Sequence, residues 1–483
     1  MATPIPRNTA TFTLAEIARA SAGELFGDAA IEVRGVSIDS RNLAGGELFV
    51  ALRGTTDGHD FLARAAERGA RAAIVERGRR IDDLACIEVD DTLAALGRLA
   101  HHHVSRIRGA RPVPLITIGG AAGKTTTKEI TAALARAVFG ATLSTPGNLN
   151  NLIGVPMTLL MLTEAHRAMV IECGTNTRGE IPKLAAIVEP DVAMVLNVDL
   201  EHTEGLGTIE DIADEEAAIF TWTKHAAVIP VDDVRLTPRV PSNLRPVAFG
   251  VEENATVRLL DRAITLGGRS AIAIRLDGST LVAGVEPVVR AEIALIGRSG
   301  AMNCTAAVAA VAAASPAPLS QEQLRAMEQA LAEIRPAPGR LAVREIGGIV
   351  IIDDSYNAQP PSVRIGLEAA RELALQRGAR LVIALGDMLE LGPLAKPAHA
   401  VAVKDALASN PAVFLAIGEE TCAAAAAAGP RWRDRILRLC ASSEEAAAQV
   451  SELVRRGDVV LVKGSRGIGT ERVVEALVKG FGA

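Results

Sequence analysis

One glycine-rich segment, LITIGGAAGKTTTKEI at residues 115–130, has the residue types of a phosphate-binding loop. An apolar stretch leads into it, Gly123, Lys124 and Thr125 stand in the usual order, and apolar residues at helical spacing follow. In such loops the backbone N–H groups at the start of a helix bind phosphate, the lysine reaches the β- and γ-phosphates, and the threonine hydroxyl binds Mg²⁺. Ile118 replaces the first glycine of the common pattern, so the residues alone also allow a tight strand-to-helix turn.

Two further side chains follow apolar, strand-like stretches and could bind a metal. Glu172 ends AMVIE, and a carboxylate that leaves a buried strand beside a phosphate loop suits Mg²⁺. His202 stands in NVDLEHTEG, after the next such stretch. The alternatives are an ordinary strand-end acid and a structural histidine, and a lone histidine is more often structural. The histidines at 101–103 fall on a predicted helix without a carboxylate partner, which indicates a solvated face.

Composition limits the class of protein. A chain of 483 residues is long enough for three domains, and its net charge of −6, with no block of lysine or arginine, argues against nucleic-acid binding. The five scattered cysteines include no CxxC pair, which favours a reducing compartment over disulfides or zinc. No signal peptide is visible, and no apolar stretch reaches the length of about 18 residues that spans a membrane. We therefore expect a cytoplasmic monomer without a membrane span.

Short apolar stretches alternate with helix-like stretches along most of the chain, which predicts an α/β fold. The basic, turn-rich segment at 105–114 and RPAPGR at 335–340 are the predicted linkers. They divide the chain into a small α/β domain at 1–108, a central domain with a mostly parallel sheet at 109–335 and a C-terminal domain at 336–483. In the last of these, strand and helix repeat four times, which predicts a Rossmann-like doubly wound sheet.

Taken together, these segments resemble the Mur ligase family, whose phosphate loop is a shortened Thr-Gly-x-x-Gly-Lys-Thr. Gly120 matches its first glycine, and Gly119 stands in place of the threonine. The resemblance extends through GVSIDSRNLAGGELFVALRGTTDGHDF (35–61) and STPGNLNNLIGVPMTLL (144–160). IDDSYNAQPPS, LGDMLELGPLAKPAH and LVKGSRGIGTERVVEAL are similar to the branch that adds D-alanyl-D-alanine. The Asn-Pro-Arg motif of the branch that adds diaminopimelate or lysine is absent.

The resemblance implies a cytoplasmic ligase of peptidoglycan synthesis that uses ATP and Mg²⁺. It would join D-alanyl-D-alanine to UDP-N-acetylmuramoyl-tripeptide through an acyl phosphate. The first domain would bind the uridine nucleotide, the central domain ATP, and the C-terminal domain the dipeptide while closing on ATP. Two alternatives are a Mur-type ligase that has shifted to another amino acid or peptide, and a Mur-like binding or regulatory protein without catalysis. The motifs do not encode whether the third residue of the acceptor peptide is diaminopimelate or lysine.

The resemblance also implies site residues, in overlapping sets. The catalytic set is Lys124, Glu172, His202, Glu216 and Arg340, and the metal ligands are Thr125, Glu172, His202 and Glu216. The ATP site comprises Gly120, Ala121, Ala122, Gly123, Lys124, Thr125, Thr126, Asn303, Arg340, Asp354 and Tyr356. The residues expected to contact the uridine-nucleotide substrate are Ser40, Arg41, Asp57, Gly58, His59, Asn148, Asn150, Asn151 and Thr175, and a structural turn is the alternative for the first five.

Position 216 departs from the family in a way that bears on the metal. Most Mur ligases have a lysine there that reacts with CO₂, and the resulting carbamate helps to hold a second Mg²⁺. This chain has Glu216, followed by Ala217-Ala218 where Gly-Glu is usual. We predict that Glu216 supplies the carboxylate directly. A solvated acidic helix face is the alternative, because acidic residues cluster there, at positions 211, 214 and 215.

Smaller departures fall elsewhere on the predicted ATP site. Ala121 and Ala122 replace residues that are often polar, which a loop that binds phosphate through backbone groups tolerates. Ser299-Gly300 stands where the family usually has His-Asn, near the residue expected to contact adenine. Gln359 replaces an asparagine.

Overall fold

The computed structural model describes residues 3–199, 203–265, 268–277 and 287–482. Within these ranges the chain forms sheets of two, five, nine and six strands, with helices on their faces. The expected α/β class and its division into three domains are confirmed.

The N-terminal part is a small α/β unit. Its strands β4 to β7 pair in parallel, β2 joins their edge antiparallel to β7, and β1 pairs with β3 as a separate ribbon. Its elements are β1 (Thr11–Thr13), α1 (Leu14–Ser21), β2 (Glu24–Phe26), β3 (Glu32–Arg34), β4 (Val36–Ser37), β5 (Leu48–Val50), α2 (Leu62–Glu67), β6 (Ala72–Glu76), β7 (Ala85–Val89) and α3 (Thr92–Ala110).

Helix α3 contradicts two sequence-based predictions. It runs to Ala110, so the first six residues of the predicted linker at 105–114 are helical. The histidines at 101–103 do not form a solvated face, because α3 packs against α1 on one side and against α5 and α6 of the central domain on the other. His103 is buried, with Nε2 2.8 Å from the Leu162 carbonyl oxygen, and His101 lies 3.9 Å from the Glu189 carboxylate. The linker prediction relied on local composition, whereas tertiary packing decides where this helix ends.

The central part is built on the nine-stranded sheet, in the order β16-β15-β14-β13-β12-β11-β8-β10-β9. Strands β8 to β14 are parallel, and β15 and β16 add an antiparallel edge. Its elements are β8 (Leu115–Gly119), α4 (Lys124–Phe139), β9 (Thr142–Ser144), α5 (Gly154–Leu159), β10 (Ala168–Glu172), α6 (Glu180–Val188), β11 (Val192–Val195), α7 (Thr203–Leu206), α8 (Ile209–Ala217), β12 (Ala226–Pro230), β13 (Arg245–Gly250), β14 (Val257–Ile264), β15 (Ser270–Leu276), β16 (Val288–Ile293), α9 (Gly297–Ala314) and α10 (Gln321–Glu333).

The C-terminal part has the expected doubly wound sheet, in the order β17-β18-β22-β19-β20-β21, with only its edge strand β17 antiparallel. An irregular segment, which includes the predicted linker at 335–340, leads into it from α10. Its elements are β17 (Ala342–Ile346), β18 (Ile349–Asp354), α11 (Pro360–Arg377), β19 (Leu381–Gly386), α12 (Ala395–Ala408), β20 (Val413–Ile417), α13 (Glu419–Ala427), β21 (Ile436–Cys440), α14 (Ser443–Leu453), β22 (Val459–Lys463) and α15 (Glu471–Phe481).

The order of the strands explains why the central and C-terminal parts both present polar residues at the carboxyl ends of their parallel strands. β8, β10 and β11 are neighbouring parallel strands that are buried on both faces, as continuous apolar runs of this kind predict. In open α/β sheets, ligands bind where the carboxyl ends of such strands meet. The glycine loop and Glu172 follow the carboxyl ends of β8 and β10, and Asp354 and Lys463 end β18 and β22 in the other sheet.

Candidate active site

The glycine loop joins β8 to α4, as its sequence predicts, and two of its glycines are sterically required. Gly120 has a φ of +115°, and a Cβ there would lie 2.8 Å from the Leu196 backbone nitrogen. Gly123 has a φ of +89°, and a Cβ there would lie 3.0 Å from Asn303 Oδ1. The loop is therefore held between the end of β11 and helix α9, and any side chain at these positions would displace it.

Asn197, just after β11, fixes the loop from the side. Its side-chain amide donates to the Ala122 carbonyl at 2.9 Å, and its Oδ1 accepts the Ala122 N–H at 2.8 Å. Its own carbonyl accepts the Ala121 N–H at 3.1 Å. Asn197 carries no local signal in the sequence, because its role depends on β11 lying beside β8 in the sheet.

Lys124 and Thr125 open helix α4 and face the same cavity. The Lys124 ammonium group donates to the Gly120 carbonyl and reaches the Ala121 carbonyl at 3.4 Å. The first N–H groups of a helix have no helical acceptor, so the start of α4 offers donors and a positive dipole end to an anion. The loop and its lysine are thus arranged to receive phosphate.

Glu172 lies at the end of β10 with 1% of its surface exposed. Its Oε1 accepts hydrogen bonds from Thr125 Oγ1 at 3.2 Å and from Asn150 Nδ2 at 2.9 Å. Its Oε2 is buried and has no hydrogen-bond partner among the described residues. An unpaired buried carboxylate oxygen is costly, and a hard cation beside a threonine hydroxyl would satisfy it. These residues therefore fit Mg²⁺.

Glu216 is also buried, with 1% of its surface exposed, so a solvated acidic face is the wrong interpretation at this position. Its Oε2 accepts the Gly120 N–H at 2.7 Å, and within the described part of the chain its Oε1 has no hydrogen-bond partner. Burial raises the pKa of this carboxyl group, and the positive charge of Lys124 opposes that shift. Its neighbour Glu215 is buried as well and accepts the Gly179 and Ile181 N–H groups at the start of α6.

A cavity of about 730 Å³ lies between the central and C-terminal parts. The central part contributes the loop residues 121–126, Glu172 and Asn303 to its lining, and the C-terminal side contributes Arg340, Asp354 and Tyr356. The Arg340 guanidinium lies 4.2 Å from the centre of the Tyr356 ring. Most of the predicted ATP-site residues therefore line one cavity. Gly120, from the same predicted set, and Glu216, a predicted metal ligand, do not line it.

Two features of the C-terminal wall were not expected from sequence. Lys463, at the end of β22, is buried and lies 2.6 Å from Asp354 Oδ2, while Asp354 Oδ1 accepts the Leu341 N–H at 3.2 Å. Gln359, which is 8% exposed, donates to the Leu389 carbonyl at 3.1 Å, and its Oε1 has no hydrogen-bond partner in the ranges that the structure describes. The substituted glutamine therefore ties two loops together and keeps one acceptor unpaired.

One predicted metal ligand, His202, lies outside the described residues. Among the residues that are described, no three histidine, cysteine, aspartate or glutamate side chains come together as a metal site. The described helices also include none that is long and apolar enough to cross a membrane.

Comparison with known proteins follows the same three-part division. Three family models match: "Mur ligase family, catalytic domain" at 32–104, "Mur ligase middle domain" at 118–311 and "Mur ligase, glutamate ligase domain" at 339–466. The UDP-N-acetylmuramoyl-tripeptide–D-alanyl-D-alanine ligase of Treponema pallidum is 33% identical over 466 residues, which is 92% of this chain and 94% of that protein. The chain belongs to the Mur ligase family.

Solved structures of other Mur ligases have the same overall arrangement. MurF from Acinetobacter baumannii superposes with a TM-score of 0.85 at 27% identity, covering 98% of this chain and 99% of that one. MurF from Thermotoga maritima, solved in complex with ADP, superposes with a TM-score of 0.76 at 26% identity, covering 92% and 97%. Three domains are thus common to these Mur ligases and this chain.

A second cavity of this Mur ligase, of about 710 Å³, lies against the N-terminal sheet. It is lined by three of the predicted substrate residues, Ser40, Arg41 and Gly58, and also by Arg7 and Arg64. The Arg41 side chain is largely exposed and forms an ion pair with Asp39 at 2.8 Å.

Two other predicted residues, Asp57 and His59, are not among those that line this cavity. The His59 ring is buried between the Asp57 carboxylate, 2.6 Å from Nδ1, and the Glu76 N–H, which donates to Nε2 at 2.9 Å. The His59 backbone N–H, which donates to Asp57 Oδ1 at 3.0 Å, and the His59 ring together lower the pKa of Asp57 to about 2. Such contacts stabilise a turn, and a role of this pair in binding stays a prediction.

The remaining predicted substrate residues divide between the cavity and the scaffold. Asn148 and Asn150 line the larger cavity. Asn151 accepts the Ile153 and Gly154 N–H groups at the start of α5, and Thr175 donates to the Thr177 carbonyl at 2.6 Å. The last two side chains hold local backbone, and their contact with substrate is untested.

Proposed function

We propose that this Mur ligase joins D-alanyl-D-alanine to UDP-N-acetylmuramoyl-tripeptide at the expense of ATP, in the synthesis of peptidoglycan precursors. The observation that carries the proposal is the larger cavity, where a phosphate loop faces Arg340, Asp354 and Tyr356 across a space of about 730 Å³. Full-length relatives named for this reaction support the substrates. The proposed domains are those of the sequence, 1–108, 109–335 and 336–483, except that the first extends to Ala110, where α3 ends.

The phosphates of ATP would lie along the loop and the start of α4. Lys124 would leave the Gly120 carbonyl for the β- and γ-phosphates, and Arg340 would approach from the opposite wall. Asp354 would accept from the ribose, and Asn303 would lie near the adenine. Since phosphoryl transfer relies on positioning and charge, these contacts supply most of the catalysis.

The reaction has two steps. A carboxylate oxygen of the tripeptide attacks the γ-phosphorus of ATP, which forms the acyl phosphate and releases ADP. The amine of the dipeptide then attacks the acyl carbon, loses a proton and displaces inorganic phosphate. The C-terminal part would hold the dipeptide near Gln359, whose unpaired Oε1 can accept from an amine. Two walls from different domains would exclude water from the acyl phosphate.

Thr125 and Glu172 face the cavity and would hold Mg²⁺ there. Glu216, which lies behind the loop, and His202, which lies outside the described residues, complete the set proposed from sequence. Bound there, the ion neutralises charge that develops on the phosphate oxygens. Glu172 is held in place by Asn150, and Thr125 by its position in the first turn of α4.

The smaller cavity, with Ser40 and Arg41, would bind the uridine nucleotide. We propose that the chain is cytoplasmic and monomeric. Gel filtration of the purified chain checks the oligomeric state.

A coupled assay of ADP release tests the function. We expect turnover only when ATP, Mg²⁺, UDP-N-acetylmuramoyl-tripeptide and D-alanyl-D-alanine are all present, with acceptors ending in diaminopimelate and in lysine compared in parallel. Turnover with a single amino acid in place of the dipeptide would identify a shifted ligase. Nucleotide binding without turnover under any condition would identify a binding protein.

A further inference from the structure

The carboxylate of Glu216 reaches the glycine loop from behind. It comes from the end of α8, 96 residues along the chain from Gly120, and its Oε2 accepts the Gly120 N–H at 2.7 Å. A hydrogen bond from a backbone N–H to a charged acceptor is among the stronger ones in proteins. Gly120 is also the residue whose φ of +115° sets the path of the loop.

The space for this carboxylate exists because residue 119 has no side chain. A Cβ at Gly119 would lie 2.7 Å from Glu216 Oε2, a separation that real Cβ contacts do not show. The Glu216 side chain is almost fully buried, so it has little room to withdraw. The glycine at 119 and the glutamate at 216 therefore fit each other, and neither position can change alone without disturbing the loop.

Glu216 differs in this respect from the other buried carboxylate of the site. Glu172 lines the cavity, whereas Glu216 does not. The N–H groups of Gly120, Ala121 and Ala122 are all bonded within the protein, to Glu216 or to Asn197. The loop is thus fixed from its back, which leaves the start of α4 to receive phosphate.

Lys124 holds the other side of Gly120, because its ammonium group donates to the Gly120 carbonyl. One residue, Gly120, is therefore held at its N–H by the carboxylate and at its carbonyl by the lysine that is expected to reach the nucleotide.

We propose that Glu216 is a positioning residue that holds the phosphate loop in its nucleotide-binding conformation through the Gly120 N–H, and that Gly119 is its required partner. This rests on the proposed binding of ATP at the loop, and it assigns Oε2 a task that is independent of any metal. A metal-binding role would instead act through the unpaired Oε1.

The two roles separate when nucleotide binding is measured calorimetrically with excess EDTA. We expect Glu216→Ala to raise the Kd for ADP about tenfold without any divalent cation, because the Gly120 N–H loses its hydrogen-bond acceptor. Glu216→Gln keeps an acceptor for the Gly120 N–H, so its Kd in EDTA should stay within about threefold of the parent value. An unchanged Kd for Glu216→Ala in EDTA, with the loss confined to Mg²⁺ titrations, would overturn the proposal.

The partnership with Gly119 is tested by rescue. Gly119→Ala should weaken ADP binding about tenfold in EDTA, because its methyl group pushes the carboxylate off Gly120. Adding Glu216→Asp, which shortens the side chain by one methylene, should recover much of that loss. Additive losses in the Gly119→Ala/Glu216→Asp double variant would contradict the pairing. This arm does not use Glu216→Ala, so it decides the question even if that variant does not fold.

Glu215→Ala is the matched control. Glu215 is a buried carboxylate on the same turn of α8 that also accepts backbone N–H groups, but it bonds the start of α6. Its removal should lower the melting temperature and leave the Kd for ADP unchanged. A Kd raised as much as in Glu216→Ala would mean that any damage to α8 weakens binding, which would overturn the specific role. All these measurements stand whether or not D-alanyl-D-alanine proves to be the substrate.

Discussion

The cavity between the central and C-terminal parts and the cavity against the N-terminal sheet have almost the same volume, about 730 and 710 Å³, but their polar groups differ in hydrogen bonding. In the cavity between the central and C-terminal parts, Glu172 Oε2 and Gln359 Oε1 are buried and find no partner among the residues described. In the N-terminal cavity, Asn8 exchanges two hydrogen bonds with the Val36 backbone, and Arg41 is paired with Asp39. Unpaired buried polar groups lower stability, so they are expected where a ligand completes them. The first cavity therefore has the unpaired polar groups expected where a ligand binds and reacts. In the second cavity these polar groups already have partners within the protein, which suits binding alone.

Lys124→Ala should produce the largest effect in either cavity. Loss of the phosphate-binding charge should lower kcat/KM for ATP by at least about a thousandfold. Circular dichroism and thermal unfolding should match the parent, because the helix start tolerates alanine. A folded Lys124→Ala enzyme with near-normal turnover would show that the first cavity is not the ATP site.

Glu172→Gln should separate activity from stability. We expect kcat to fall about a hundredfold and the Mg²⁺ concentration for half-maximal rate to rise, since an amide is a poor ligand for a hard cation. The melting temperature should stay equal or increase, because the variant removes a buried charge with an unpaired oxygen. A clear drop in melting temperature with unchanged Mg²⁺ dependence would assign Glu172 a structural role.

Arg41→Ala probes the N-terminal cavity, where binding rather than chemistry is expected to change. The KM for the uridine nucleotide should rise about tenfold with kcat preserved, and stability should hardly change, because exposed ion pairs contribute little. Arg77, whose ion pair with Asp90 lies outside the cavity, is the control, and Arg77→Ala should leave both constants unchanged. Equal effects of the two substitutions would argue against the cavity as the nucleotide site.

Asp57→Asn should have the smallest effect, and mainly on acid stability. The carboxylate has a pKa lowered to about 2 by its bonds to His59, so its stabilising effect is complete above the unfolded pKa of about 3.9 and fades as the pH falls towards 2. The melting temperature of the variant should therefore lie below that of the parent at pH 7 and approach it between about pH 4 and pH 2. Asp60→Asn serves as the exposed control. A raised KM for the uridine nucleotide would instead support the assignment of Asp57 to substrate binding.

Local sequence patterns predict the strands, loop and helix of the site, but they do not predict the residues that support these elements from neighbouring strands. The strand, loop and helix around Lys124 follow from apolar spacing and glycines, and the repeated strands of the C-terminal part predict its doubly wound sheet. Asn197 and Lys463 cannot be identified from local patterns. Each one bonds to residues at or just after the end of a strand that is a neighbour only in the folded sheet. Glu216 was found through family resemblance, but its contact with Gly120 depends on how α8 packs.

The stacking of Arg340 on Tyr356 also has a practical consequence. Tyr356 is the only tyrosine in the chain, and the guanidinium groups of Arg340 and Arg466 lie 4.2 and 5.6 Å from the centre of its ring. Protein grown on 3-fluorotyrosine would therefore carry a single fluorine label, located on the wall of the ATP cavity. One ¹⁹F resonance would then report nucleotide arrival, the approach of the C-terminal part and product release in unmodified sequence, without any engineered cysteine.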